Sequence, residues 1–172
     1  PVGATVMQAN WGKFLVFNSA GGFGTAATIW NDTAPTADVF TIGTENAFNN
    51  AGQNTIFYCI HSVEGYSKVG LYTGNVAANG TFAYLGFRPA MVMIKGNYSS
   101  DWHIFNNKLL GYNVANYDLT PSETNVEITD ARIDFLSNGF KIRTNAANIN
   151  SGGNLLLYYA IAESPFKYAN AR

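Results

Sequence analysis

Residues 154–162 read NLLLYYAIA, a run in which apolar and aromatic side chains occupy both sets of alternating positions. Successive side chains of a strand point to opposite faces of its sheet, so this strand must be covered on both sides. Gly152 and Gly153 come directly before the run, and glycine tolerates the backbone angles of a tight turn. The stretch therefore predicts a central strand in an all-β fold, entered through a turn.

Shorter stretches with a strand-like composition recur along the rest of the chain. Each is rich in β-branched or aromatic residues and is bounded by turn-forming residues. They are KFLVFN (13–18), DVFTI (38–42), NTIFYCIH (54–61), FAYLGF (82–87), AMVMIK (90–95), DWHIFN (101–106) and GFKIRT (139–144). The pattern predicts an all-β protein in which any helix is a single turn. One such turn is expected at Pro121–Thr124, because TPSE (120–123) has the form of a capping box.

The chain resembles itself at a constant offset of 101 residues. The segment FTIGTENAFNNAGQNTIFYCIHS (40–62) aligns with KIRTNAANINSGGNLLLYYAIAE (141–163), which brings Asn49 onto Asn150 and Gly52 onto Gly153. This indicates an internal duplication with a first repeat at 1–73, shortened at its N-terminus, and a second at 74–172. The repeats form either two related β-sandwich halves or one merged domain. TIFYCI (55–60), like LLLYYAI, is predicted to be a buried central strand.

The charge content is low and nearly balanced. Charged residues make up 12% of the chain, aromatic residues 15%, and the formal net charge is -1. Such a surface does not attract a polyanion, which argues against nucleic acid and acidic membranes as partners. The apolar runs are too short to cross a bilayer, so no membrane insertion is expected. The start PVGATVMQAN has no basic residue and no long apolar stretch, so no signal peptide is expected either.

The segment around Cys59 and His61 contains the residue types of a reaction centre. Cys59 is the only cysteine, and it is expected to be a small buried residue of a strand. A Cys–His enzyme also needs a group that orients the histidine and an oxyanion site, and none is evident here. The second repeat has Ala160 and Ala162 at the corresponding positions. We therefore expect no catalytic residues, and no Cys, His, Asp or Glu spacing predicts a metal or another cofactor.

Four motifs together resemble a repeat of tail-fibre and related structural proteins of marine phages, especially those that infect cyanobacteria. The motifs are EGYSKVGLYTGN (64–75), LGFRPAMVMIK (85–95), IDFLSNGFKIRT (133–144) and AIAESPFKYANAR (160–172). PVGATVMQAN (1–10) is interpreted as a remnant of the first repeat's GFRPAMVMIK.

The resemblance implies a non-enzymatic protein on the exterior of a phage particle, in the tail, the tail fibre or the outer shell. It implies a homo-oligomer, with a trimer favoured, that also contacts other virion proteins. The fold that it implies is an antiparallel, jelly-roll-like β-sandwich.

Aromatic residues in predicted loops are the candidates for recognition. Rings with polar ends stack on sugars or form subunit contacts, and loops on rigid scaffolds often carry recognition. The candidates for glycan or partner contact are Trp102, Tyr112, Tyr117 and Tyr98, with the loop at 109–120 foremost. Tyr66 and Tyr72, in the predicted hinge between repeats, are candidates for inter-repeat or subunit contact. Host-surface contact by a structural protein and a carbohydrate-binding module are both open, as is ordinary core packing of these rings.

Overall fold

The chain forms two compact units in its computed structural model, which describes residues 12–109, 113–124 and 126–164. One unit consists of residues 1–15 and 23–60, and the other consists of residues 16–22 and 61–172. This division differs from the predicted repeat boundary between residues 73 and 74. Strand β3 (Ser67–Thr73) pairs along its whole length with a strand near the C-terminus, so a boundary after residue 73 would split a sheet.

The second unit is an antiparallel β-sandwich, which confirms the predicted fold class. Its strands are β3, β4 (Phe82–Tyr84), β5 (Pro89–Gly96), β6 (His103–Asn106), β7 (Ala115–Asp118), β8 (Ile128–Leu136), β9 (Gly139–Ile142) and β10 (Leu155–Ala162). The first sheet has the order β3-β10-β5-β6, and the second sheet has the order β4-β9-β8-β7. Consecutive strands β5 and β6, β7 and β8, and β8 and β9 are antiparallel neighbours, so local turns generate much of both sheets.

Strand β10 is the central strand that its sequence predicts. It pairs on one side with β3 and on the other with β5, so that Tyr159 lies between Val69 and Met93. Its alternate side chains, from Leu156 to Ala162, are buried in the sandwich. The predicted cover on both faces is only partly realised: both edges are paired and one face is buried, whereas the side chains of the other face are half-buried.

The core lies between the two sheets. Its fully buried members from the first sheet are Val92, Ile94, Phe105, Leu156 and Ala160, and those from the second are Ile133, Phe140 and Ile142. Phe140 meets Tyr158 edge to face, with ring centroids 5.4 Å apart at an interplanar angle of 80°. Such aromatic pairs add about 0.5–1.5 kcal/mol beyond the area that they bury.

The first unit has little regular structure among its described residues. It contains the two-residue strands β1 (Lys13–Phe14) and β2 (Gly24–Thr25), which pair with each other, and the helical turns α1 (Ala27–Trp30) and α2 (Asn46–Asn49). The predicted strands at 38–42 and 54–61 are absent, so these two predictions were wrong. Neither stretch has a neighbouring strand among the described residues. An apolar sequence alone does not form a strand, because a strand also needs a partner for its backbone hydrogen bonds.

One short segment has the same backbone conformation at both ends of the offset of 101 residues. Helical turns α2 and α3 (Ala147–Asn150) lie 101 residues apart and both begin after an extended N-cap residue. Each is followed at the same spacing by a glycine with positive φ, which is 78° at Gly52 and 74° at Gly153. We call residues 43–53 and 144–154 the two turn modules. The sequence similarity therefore reflects a repeated local structure, although the chain after the two modules differs.

Three further predictions about the second unit were wrong. Strand β3 lies in the predicted hinge, and β7 lies in the predicted loop at 109–120. Pro121–Thr124 forms no helix; a turn closes there instead, with the Glu123 amide donating to the Thr120 carbonyl at 2.9 Å. The helices that the structure describes are single turns of four residues, as expected, but at other positions.

Candidate functional site

Cys59 and His61 do not have the environment of a reaction centre. Cys59 is exposed, so the prediction of a buried cysteine was wrong, because the strand that would have buried it does not form. The imidazole of His61 is also exposed, and its Nδ1 lies 3.1 Å from the carbonyl oxygen of the adjacent Ser62. In the part of the chain that the structure describes, no group of three His, Cys, Asp or Glu residues is placed to hold a metal ion.

Trp102, a predicted glycan contact, belongs to the interior. Its side chain is only 7% exposed, and its indole Nε1 donates to the carbonyl oxygen of Val16 at 2.9 Å. The ring of Phe17 covers it at a centroid distance of 5.4 Å, and Lys95 Nζ lies 5.9 Å from the indole centroid. A sugar cannot stack on a ring that is already covered. The sequence gives no sign of this, because the covering residues come from about 85 positions earlier in the chain.

Lys95 supports this packing although it is fully buried. Its ammonium group donates to the carbonyl oxygens of Ala20, at 3.2 Å, and of Ser100. Burial lowers the pKa of Lys95 from its ordinary value, and the nearby Asp101 carboxylate opposes that shift. Lys95 thus fixes the short segment at residues 16–22 to the first sheet.

Tyr72 and Tyr98 both hold the helical turn α3. The Tyr72 hydroxyl donates to the Ile149 carbonyl at 2.6 Å, and the Tyr98 hydroxyl donates to the carbonyls of Ala147 and, at 3.2 Å, of Asn148. Tyr72 lies in the core, where burial raises its pKa well above the ordinary value; burial also raises the pKa of the half-buried Tyr98. Tyr72 is therefore an internal packing residue and is not available for subunit contact.

The remaining predicted contact residues occupy different positions. Tyr117 is half-buried in β7, and Tyr112 lies outside the described residues. Tyr66 is partly exposed in the turn before β3, and its carbonyl accepts the Ala162 amide at 2.8 Å. Those predicted aromatic residues that the structure describes are therefore not brought together into one surface.

A buried charged cluster links the two sheets, and the sequence did not predict it. His103 Nδ1 on β6 lies 2.5 Å from Asp118 Oδ2 on β7, and Arg132 on β8 approaches the same oxygen at 3.7 Å. His103 and Asp118 are both fully buried. Breaking one partner of a buried ion pair costs about 3–5 kcal/mol because it leaves the other charge uncompensated. The cluster therefore acts as a structural link between sheets.

One exposed aromatic surface of the second unit lies on the edge strand β4. Phe82 and Tyr84 are 42% and 60% exposed, whereas Ala83 between them is buried. Lys68 Nζ donates to the Tyr84 carbonyl at 2.9 Å and lies 5.2 Å from the centre of its ring. We call Phe82, Tyr84 and Lys68 the β4 surface. Exposed aromatic rings beside an ammonium group can pack against a protein or stack on a sugar.

The sequence contains part of the signal for this surface. FAYLGF (82–87) predicts a strand, and its alternation places Phe82 and Tyr84 on the face opposite to Ala83. Only the pairing shows which face is outside, since β4 pairs with β9 through Ala83 and Phe140, both buried.

The fold and the β4 surface together define an all-β sandwich protein whose second sheet has exposed aromatic side chains on its edge strand β4. Over residues 2–165 the chain matches the family described as a domain of unknown function (DUF7483), and it belongs to that family. No curated protein sequence and no solved structure matches it. Among the described residues, no helix is long and apolar enough to cross a membrane.

Proposed function

We propose that this protein is a non-enzymatic structural component of the exterior of a phage particle and that it assembles with copies of itself. Its place is in the tail, the tail fibre or the outer shell, where it contacts other virion proteins and the host surface. The resemblance of its four motifs to marine phage tail-fibre repeats supports the virion location. The β4 surface supports the self-assembly.

Two properties of β4 favour a subunit contact there. Strand β4 pairs with β9 on one side, so it is an edge of the second sheet among the described strands, and its Phe82 and Tyr84 rings are exposed. Edge strands with exposed apolar side chains readily associate unless they are protected. Aromatic residues are also enriched at subunit interfaces. A trimer remains the favoured assembly.

Light scattering coupled to size-exclusion chromatography tests the assembly. At micromolar concentration the unaltered protein should elute as a single oligomer, and Tyr84→Ser should shift it toward the monomer. Val126→Ser is a matched control, because Val126 is also an exposed apolar residue but lies between β7 and β8. A stable monomer of the unaltered protein would contradict self-assembly. Equal effects of the two substitutions would contradict the role of β4.

A carbohydrate-binding module is the second candidate function. The observation that favours it is the exposed Tyr84 ring, which Lys68 flanks, since aromatic rings with nearby polar groups bind sugars. A glycan array and binding to host cells test it. Tyr84→Ala should abolish glycan binding, whereas Tyr84→Phe should retain most of it. Loss of glycan binding without a change in oligomeric state would separate this function from self-assembly.

A further inference from the structure

The two sheets of the second unit are joined to each other along one side. Strand β6 ends the first sheet and β7 ends the second, and an antiparallel bridge connects Ile104 of β6 with Leu119, the residue after β7. The Ile104 amide donates to the Leu119 carbonyl at 2.9 Å, and the Leu119 amide donates to the Ile104 carbonyl at 3.0 Å. The opposite ends of the two sheets are β3 and β4, so the described sheets have their remaining edges there.

The edge of β3 is occupied by groups that precede it in the same chain. The Val63 amide donates to the Ser67 carbonyl at 2.9 Å, and the Ser67 amide donates to the Val63 carbonyl at 3.0 Å. Ser62 Oγ accepts the Val69 amide at 3.0 Å and donates to the Val69 carbonyl at 3.3 Å. Both backbone groups of Ser67 and of Val69 therefore already have the partners that an added strand would otherwise supply.

The register of β4 shows which of its carbonyls face away from β9. The Ile142 amide of β9 donates to the carbonyl of Thr81, the residue before β4, at 3.0 Å. In an antiparallel pair, the backbone groups of successive residues point alternately toward the neighbouring strand and away from it. The carbonyls of Thr81 and Ala83 therefore face β9. Those of Phe82 and Tyr84 face the edge of the sheet.

The ammonium group of Lys68 covers this edge at Tyr84. It donates to the Tyr84 carbonyl at 2.9 Å and lies 5.2 Å from the centre of the Tyr84 ring. An added strand would have to displace this ammonium group before it could donate to the same carbonyl. Lysine is one of the residues by which edge strands of natural proteins avoid pairing with one another. Lys68 thus blocks the backbone of β4, whereas the Phe82 and Tyr84 rings stay exposed.

We propose that Lys68 prevents β4 from pairing through its backbone with β4 of a second copy, and that it thereby confines contact between copies to the side chains of Phe82 and Tyr84. This inference builds on the self-assembly proposed above and names the residue that selects between two modes of contact. Backbone pairing at β4 would add contacts beyond those of the side chains. Without Lys68, species larger than the oligomer of the unaltered protein should therefore form.

Lys68→Met tests the proposal, because methionine keeps an unbranched apolar side chain but cannot donate to the Tyr84 carbonyl. Light scattering coupled to size-exclusion chromatography should detect larger species at a protein concentration at least about tenfold lower than for the unaltered protein. In these species, hydrogen exchange at the Phe82 and Tyr84 amides should slow by at least about tenfold, because these amides face the edge and would enter the new ladder. Exchange in β10 should stay unchanged, which separates this effect from unfolding.

Two substitutions are matched controls. Lys68→Arg keeps a donor for the Tyr84 carbonyl, so it should have the size distribution of the unaltered protein. Lys108→Met removes the same charge from an exposed lysine in the turn after β6, and it should leave the size distribution unchanged.

Three results would overturn the proposal. Identical size distributions of Lys68→Met and the unaltered protein would show that Lys68 does not block the edge. Equal growth of larger species in Lys68→Met and Lys108→Met would assign the effect to the lost charge. Larger species of Lys68→Met with unchanged exchange at Phe82 and Tyr84 would show association without backbone pairing.

The same experiment distinguishes failure of this proposal from failure of the proposed self-assembly. A monomeric unaltered protein would contradict the self-assembly. Dimers of Lys68→Met with protected Phe82 and Tyr84 amides would, even in that case, support the block of the β4 edge by Lys68.

Discussion

Asn49 and Asn150 lie 101 residues apart and make the same side-chain hydrogen bond. Each Nδ2 donates to the carbonyl oxygen six residues earlier, which belongs to Gly43 at 2.9 Å and to Thr144 at 2.6 Å. Asn150 is fully buried and makes further bonds, whereas Asn49 is exposed. The side-chain hydrogen bonds of Asn150 should therefore contribute more to the free energy of unfolding than the corresponding bond of Asn49.

Replacing Asn150 should destabilise the protein far more than replacing Asn49. The Asn150 side chain donates to Asn75 Oδ1 and to the Ala77 carbonyl, and its Oδ1 accepts the Asn75 amide at 2.8 Å. Asn150→Ala removes four hydrogen bonds and leaves the carbonyl of the buried Thr144 without its donor, so we expect a loss of about 2–4 kcal/mol in the free energy of unfolding. Asn49→Ala, the matched control, should cost about 0.5–1.5 kcal/mol. Urea denaturation measures both, and equal losses would contradict this assignment.

The sequence predicted those strands whose apolar composition agrees with their pairing and burial in the sheets. Strand β10 has apolar residues at all positions and is paired at both edges, β4, β6 and β9 fall within predicted stretches, and β5 extends one residue beyond its predicted stretch at each end. Strand β3 was missed because SKVGLYT contains Lys68 and Gly70, which weaken a strand signal. In fact Gly70 is needed there, because a Cβ would meet the Tyr158 ring and hydroxyl at 2.4–3.0 Å.

The candidate site was harder to predict because exposure depends on distant parts of the chain. The sequence predicts that Trp102 and Tyr98 are aromatic residues of loops. In the structure, Trp102 donates a hydrogen bond to Val16, and Tyr98 donates one to Asn148, and both partners are remote in sequence. The same limit applies to residues 55–60, which form no described strand although TIFYCI and LLLYYAI carry equal strand signals. Only the presence of neighbouring strands distinguishes them in the described structure.

Removing the buried carboxylate of Asp118 should strongly destabilise the sandwich. Asp118→Ala leaves His103 without its 2.5 Å partner and leaves Arg132 without a buried counter-charge. We expect a loss of about 3–5 kcal/mol in the free energy of unfolding. The matched control is Asp134→Ala, since Asp134 pairs at 3.4 Å with an exposed Arg143, and such a pair contributes about 0–1 kcal/mol. A loss below about 1 kcal/mol for Asp118→Ala would show that the cluster does not link the sheets.

The buried Tyr72 hydroxyl should make stability fall at alkaline pH. Burial raises its pKa above the ordinary 10.0, so above pH 10 the unfolded chain releases this proton while the folded chain keeps it. Because the unfolded state then binds fewer protons, the free energy of unfolding decreases as pH rises. The stabilising effect is complete below pH 10.

Tyr72→Phe tests this prediction, because it removes the ionisable group. The variant should lose about 1–2 kcal/mol at pH 8, since the Ile149 carbonyl loses its 2.6 Å donor. It should also show a smaller decrease in stability between pH 9 and about 11 than the unaltered protein. Tyr84→Phe is the control, because that side chain is exposed and its ring stays in place. Identical pH slopes for the unaltered protein and Tyr72→Phe would contradict the prediction.

Trp102→Ala should act through folding and not through recognition. The substitution removes a large buried ring together with its hydrogen bond to Val16, so the free energy of unfolding should fall by about 3–5 kcal/mol. Tyr84→Ala removes an exposed ring, so its effect on stability should stay within about 0.5 kcal/mol. Thermal unfolding of both variants, followed by the glycan and oligomer assays under conditions where both are folded, separates the two roles. Folded Trp102→Ala should keep the oligomeric state and glycan binding of the unaltered protein. A selective loss of either property would show that Trp102 contacts a partner or a glycan directly.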